Sequence, residues 1–326
     1  KNAYGVHLHG QSQHFNELSE EFFISLLNPK FLKKEFNHEK DMTLRSLQSQ
    51  KEDPIRQCFK HIDQLMFDKH PYSLNSLGNE QSLLDLSEKK LITTHKKNIH
   101  QNNILITYCG NLPIEEIYDV INNQCINLKP RPWDKGRTKS KSYTALTNQK
   151  KFISMPREQS HLFIGIPTGQ IESKSNLSLK IVNTHLSGQS SELFVDVRDK
   201  KGLCYAVQTS HFNAIEGGYW GIYLACSNSK INSAVSAIKE IINKISTIGL
   251  SKKDFNRAKK ILGFQSVFNL QTNDDYANNY SIPFLHGLGV DFHYKNNNDT
   301  QNISYDDFQK QIKKLFSQHW NEVIVG

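Results

Sequence analysis

At 326 residues the chain exceeds one usual hydrophobic core, so two domains are expected. With 37% hydrophobic and 22% charged residues it is not an intrinsically disordered chain, and no apolar run is long enough to cross a bilayer, so no membrane partner is expected. The formal charge of +8 is spread out. Its densest cluster is Lys129, Arg131, Lys135, Arg137, Lys139 and Lys141, in a Pro-containing stretch with little aromatic interleaving and no RNA-binding signature. A nucleic-acid partner is therefore not expected.

The chain opens at Lys1, without Met or a secretory apolar region, as a mature product or an excised fragment does. Cys58, Cys109, Cys125, Cys204 and Cys226 match no C-x-x-C pattern, and their odd number argues against a closed disulfide framework. They read as small core residues. The cysteines leave the compartment open; an extracytoplasmic one, such as the periplasm, is expected over the cytoplasm.

Residues 1–15 read as extended and rich in His and Gln. His7 and His9 alternate as on one strand face, but no third ligand is near in sequence, so a surface or pocket role is expected and no metal site. His14 and Glu17 share one helix face. Helical apolar spacing runs from Leu18 to Leu27 and stops at Asn28-Pro29. A charged amphipathic helix follows from Phe31 to Gln48. Asp53 and Pro54 read as N-cap and first turn of a third helix whose apolar positions include Ile55, Cys58, Phe59, Ile62, Leu65 and Met66. His70-Pro71-Tyr72 is a turn, Glu80 to Leu86 a short helix, and Ser87 the cap of another. Asn103 to Cys109 reads as a buried strand, and Pro113 to Asn122 as a helix.

From Cys125 to Thr147 apolar content drops and Lys, Pro and Ser take over, which marks a boundary. Short strands are expected at Phe152 to Met155 and Ser160 to Ile166, the latter ended by Pro167. Helices are expected at Leu177 to Leu186 and Ser191 to Val197. Ala206 to Phe212 and Gly218 to Cys226 read as an antiparallel pair. Ile231 to Ile248 is an amphipathic helix ended by Gly249; Ser251 caps Phe255 to Val267, Asp307 to Phe316 is the last helix, and Glu322 to Val325 a final strand. The second half repeats the first in outline, and both give an α+β layer.

One stretch looks chemically specific. Between His185 and Val207 a small-residue turn, Ser187 to Ser191, precedes an apolar run that ends in Arg198, with Tyr205 following across Gly202. An Arg on a helix end and a Tyr entering a strand can converge on one ligand. A phosphate-loop reading of the turn lacks the G-K-[ST] ending and is set aside. His161 and His185 read as packed or substrate-facing residues.

Gly188, Ser190, Ser191, Leu193, Phe194, Val197, Arg198, Gly202, Leu203 and Tyr205 follow the order G-x-S-S-x-L-F-x-x-V-R-x-x-x-G-L-x-Y, ten matches in eighteen positions. This resembles a segment of the pitrilysin/insulinase family of inverted-zincin metallopeptidases, peptidase family M16. Collinear support comes from Leu27-Asn28-Pro29-Lys30-Phe31, Glu52-Asp53-Pro54, His70-Pro71-Tyr72 with Gly78, Asn102 to Asn111, and Gln159 to Gly165.

The resemblance implies two related α/β-sandwich domains, each an antiparallel-rich sheet with helices packed on it. The first, residues 1–127, would be truncated at its N-terminus and carry a degenerate metal site; residues 128–149 would form a basic linker; the second domain, 150–326, would carry Arg198 and Tyr205. It implies a clamshell of two halves closing on a peptide. In the catalytic half H-x-x-E-H and a later Glu hold zinc with one position open for water, and the motif Glu acts as base.

This chain departs from the family there. H-x-x-E-H is absent from its 326 residues, and Asn2-Ala3-Tyr4 resembles a segment that follows the motif. The position of the distal Glu falls on Ser46, beside Arg45; Glu39 comes too early on the same helix. The expectation is therefore the second, non-metal half or a non-catalytic partner subunit. It would hold no cofactor itself, zinc residing in the catalytic half, and be inactive alone. Its partners would be an H-x-x-E-H-bearing half, in the same polypeptide or a separate subunit, and a peptide substrate. Arg198 and Tyr205 would reach across to the substrate as catalytic contacts. The competing reading pairs Arg198 with Asp196 or Asp199 and places Tyr205 at a core edge.

Overall fold

The computed structural model describes residues 3–130 and 145–326. The basic residues expected as a linker fall largely outside them, from Arg131 to Lys141. The chain divides into two compact units: one from the described parts of 1–47, 76–139 and 270–293, the other from 48–75, 140–269 and 294–326. No helix among the described residues is long and apolar enough to cross a membrane.

The first unit is helical among the described residues. Its helices are α1 (Phe15–Leu27), most of α2 (Lys33–Glu52), α4 (Glu80–Leu84), α5 (Glu88–Asn98), α6 (Ile114–Cys125) and α10 (Asn273–Leu285); α3 (Pro54–Phe67) belongs to the second unit. Local chemistry sets several starts. Asn79 and Ser82 form a capping box on α4, and Ser87 accepts from the Lys90 amide to start α5. Glu115 and Glu116 lie in the first turn of α6, where the helix dipole favours acidic groups. Asn103 to Cys109, expected as a buried strand, departs from that reading. It runs extended, with Ile106 and Thr107 exposed and no ladder partner among the described residues. A strand is defined by its neighbour, which apolar composition alone does not supply.

The second unit is built on a five-stranded sheet in the order β1-β5-β2-β4-β3. The strands are β1 (Lys150–Ile153), β2 (Gln159–Thr168), β3 (Ala206–Ala214), β4 (Gly217–Ser227) and β5 (Asn321–Val325). β1 pairs parallel to β5, and every other pairing is antiparallel. The protein is therefore a helix-rich α+β protein with a mixed sheet. β2 continues through Pro167, which pairs with Tyr219 of β4 at a point beyond the reach of β5. A residue without an N–H is tolerated there because one side of the strand is free of a ladder.

The two faces of the sheet follow strict alternation. Leu162, Ile164 and Ile166 of β2 and Trp220, Ile222, Leu224 and Cys226 of β4 enter one core, with apolar residues of α7 (Lys174–Leu186), α8 (Ile231–Thr247), α9 (Lys252–Phe268) and α12 (Tyr305–Phe316). Phe163, Tyr219, Tyr223, Val323 and Val325 point the other way, into a second core with Cys58, Ile62, Met66 and Phe67 of α3. Helices thus cover both faces. Asp53 caps α3 by accepting from the Ile55 and Arg56 amides, with Pro54 in the first turn. Beyond its end, His70 Nδ1 accepts from the Tyr72 amide and Nε2 lies 2.8 Å from Glu216 in the β3–β4 turn, so the ring donates to that carboxylate.

Gly165 and Gly221 are register partners in β2 and β4. A Cβ on Gly221 would lie 2.3 Å from the Phe163 ring and 2.6 Å from the Ile164 carbonyl oxygen. The missing side chains leave the space that the Phe163 ring occupies.

On β3, His211 is partly exposed, yet its Nε2 is buried without a hydrogen-bond partner. Desolvation, and then the nearby Lys180 ammonium, push its pKa down to about 4. The unfolded chain therefore binds a proton that the folded chain refuses between pH ~6.5 and ~4. Stability is expected to fall as pH drops through that window, by at most ~3 kcal/mol, less where water reaches the exposed edge. Urea unfolding of wild type and His211→Gln across the window checks this; equal slopes would remove the assignment.

Candidate functional site

The turn Ser187 to Ser191 is made by backbone conformation. Gly188 has φ +86°, which a side chain disfavours, and the Ser191 amide donates to its carbonyl at 3.1 Å. Ser191, 3% exposed, then accepts from the Phe194 amide at 3.2 Å and so starts the next helix. That helix is a π-helix over Leu193–Lys200, with the Lys201 amide donating to the Asp196 carbonyl five residues back. Sequence spacing predicts an ordinary helix over Ser191 to Val197; the structure has a π-helix there instead, with Leu193 and Val197 both 1% exposed. Wide turns of this kind occur frequently at functional sites.

Arg198, Asp199 and Lys200 are exposed at the end of the π-helix. Asp196 pairs with Lys200 at 2.8 Å and not with Arg198. No ion pair forms on Arg198 among the described residues. Its guanidinium instead lies 4.6 Å from the Phe194 ring centroid, a cation–π contact that steadies the side chain. Gly202 at φ +57° turns the chain back, and the Leu203 amide donates to the Val197 carbonyl at 3.0 Å. The Lys230 ammonium donates to the Gly202 carbonyl at 2.8 Å. These bonds set the backbone one residue before Arg198 against that two residues before Tyr205. The Tyr205 amide donates to the Ala225 carbonyl at 2.8 Å, while its side chain is 60% exposed and so does not fill a core edge. Between them Cys204 is buried, and desolvation raises its thiol to about 11, which disfavours the thiolate.

Of the other candidates, His161 has a hydrogen-bond partner, whereas His185 Nδ1 is buried with none among the described residues. His161 Nδ1 lies 2.7 Å from the Tyr223 hydroxyl in the core beneath α3, and burial lowers its pKa. His185 is lowered by burial as well. The depression between the π-helix and α8 is lined by charges that pair with one another, Lys201 with Glu240 and Lys244 with Glu192. Ser46 on α2 donates to the Met42 carbonyl at 2.9 Å, one turn back on its own helix. Without H-x-x-E-H, this chain's residues do not fit the ligand set described for the family's zinc. What sequence reading did not join is His7, His9 and Asp274, which come together in the first unit.

Comparison with known proteins agrees with this segment. Residues 85–262 match the family described as the Peptidase M16 inactive domain. An uncharacterized zinc protease of Bacillus subtilis is 23% identical over 83% of this chain and 64% of its own length. A Helicobacter pylori protein named a non-peptidase homolog is 23% identical over 88% of this chain and 66% of its own. The chain thus spans less than two thirds of these relatives. The crystal structure of a peptidase M16 inactive domain from Pseudomonas fluorescens superposes with a TM-score of 0.86 at 17% identity, covering 97% of this chain and 75% of that one.

Proposed function

Since the chain belongs to the M16 peptidase family and carries its inactive domain, we propose that it forms one wall of a peptide-binding clamshell and supplies substrate contacts to a hydrolytic site on a partner half. That half bears H-x-x-E-H, in the same polypeptide or as a separate subunit. The observation that carries this reading is the pair formed by an exposed Arg198, unpaired with acid, and a 60% exposed Tyr205 on neighbouring backbone. During amide hydrolysis negative charge develops on the scissile carbonyl oxygen. A guanidinium and a phenol directed at that oxygen stabilise the charge more than they stabilise the ground state. The same donors orient the peptide backbone before reaction.

A second reading is favoured by the relative named a non-peptidase homolog: a binding or scaffold subunit that retains the cleft and accelerates nothing. Reconstitution separates the two. The chain alone is expected to leave a fluorogenic peptide intact, and mixing it with an H-x-x-E-H-bearing half should raise cleavage well above that half alone. If the partner cleaves at the same rate with and without this chain, the scaffold reading stands and the peptidase reading falls.

A further inference from the structure

His7 and His9 lie two residues apart, and both imidazoles reach the same carboxylate, that of Asp274. The rings are 13° from parallel with centroids 6.4 Å apart. Asp274 meets them within the same compact unit, with carboxylate oxygens 3.8 Å from His7 Nδ1 and 3.2 Å from His9 Nε2. One ligand atom from each residue lies within 4.8 Å of the others. An ion bonded at ~2.0–2.1 Å to imidazole nitrogen and carboxylate oxygen holds tetrahedral ligands ~3.3 Å apart. Small side-chain rotations therefore close the set.

Asp274 is well placed to serve as a ligand. It stands in the first turn of α10. Its neighbour Asp275 is committed to the Thr272 capping box, which fixes that turn. Two imidazole nitrogens and a carboxylate oxygen thus cluster around one point.

We propose that His7, His9 and Asp274 bind one divalent first-row transition ion of the zinc type. Two imidazoles and one carboxylate select such an ion over Mg2+ or Ca2+, which take oxygen ligands, and leave positions open for water. All three side chains are about half exposed, at 54%, 65% and 46%, so the ion enters directly from solvent. This inference stands independently of the proposed function.

The test is titration of the intact chain with Co2+ at neutral pH, followed by visible absorbance, with Zn2+ and Mg2+ as displacers. The wild type is expected to bind one equivalent more than the His7→Ala/His9→Ala double variant or Asp274→Ala. Each single His variant should weaken that equivalent by at least ~10-fold, as loss of a direct ligand exceeds loss of a supporting contact. Zn2+ should displace Co2+ and Mg2+ should not. His38→Ala, exposed on α2, should bind as wild type does. The substituted side chains are exposed, and equal metal-free unfolding midpoints verify the fold. The proposal is overturned if the double variant and Asp274→Ala bind as many equivalents as tightly as wild type, or if Mg2+ displaces Co2+ as readily as Zn2+.

Discussion

Arg198→Ala is expected to lower peptide cleavage by the reconstituted two-half enzyme by ~10²–10³-fold, the usual cost of removing one preorganised donor to a developing oxyanion. The expectation rests on the proposed function and on a side chain with no acidic partner to satisfy, 4.6 Å above the Phe194 ring. Tyr205→Phe removes a single neutral donor and should cost less than the loss of the charged one. Arg198→Lys should recover only part of the rate, since an ammonium replaces a planar fork with a point charge. A fall in kcat at constant KM assigns the contact to the transition state, and a rise in KM alone assigns it to substrate anchoring. Both side chains are exposed, so unfolding midpoints should not move. Wild-type rates in Arg198→Ala and Tyr205→Phe would end the assignment.

Phe67→Ala is expected to destabilise the protein by ~3–5 kcal/mol. Phe67 ends α3, is 0% exposed, and stands edge-on to Tyr72 and Phe212 with ring centroids 5.2 and 5.5 Å away. Its loss removes a large apolar area and leaves a cavity lined by aromatic rings, which relax little because Tyr219 is itself packed against Phe163 and Phe212. Phe264→Ala makes the control, since Phe264 is 68% exposed on α9 and should change stability by less than ~0.5 kcal/mol. Coincident urea midpoints for Phe67→Ala and Phe264→Ala would show that α3 does not pack on the sheet as described.

Much of this protein is written in short-range chemistry. Asp53-Pro54, Ser87 and Ser251 announce helix starts, and each side chain accepts from the amide that its position requires. The glycine that ends α8 adopts the expected left-handed conformation at φ +81°. β2 and β4 have the run lengths and β-branched and aromatic content of strands, and β3 and β4 form the expected antiparallel pair. The order of residues from Gly188 to Tyr205 was enough to point to the family, and the match over residues 85–262 agrees.

What the sequence left open depends on partners far away in the chain. α10 and α11 (Phe292–Asn302) are Asn-rich and weakly amphipathic, and Pro283 stands inside α10, so no apolar stripe marks them. The π-helix closes its hydrogen bonds five residues back, and an apolar pair spaced as Leu193 and Val197 are reads equally as an ordinary helix. That Arg198 is unpaired with Asp196 follows from Lys200 taking the carboxylate. The apolar face of α3 was legible; that Phe163, Tyr219 and Tyr223 cover it was not. His7 and His9 were seen as a pair, and only folding brought Asp274 to them. Periodicity and caps report neighbours within about a turn or a strand pair, whereas a site is made by contacts whose separation in sequence carries no local signal.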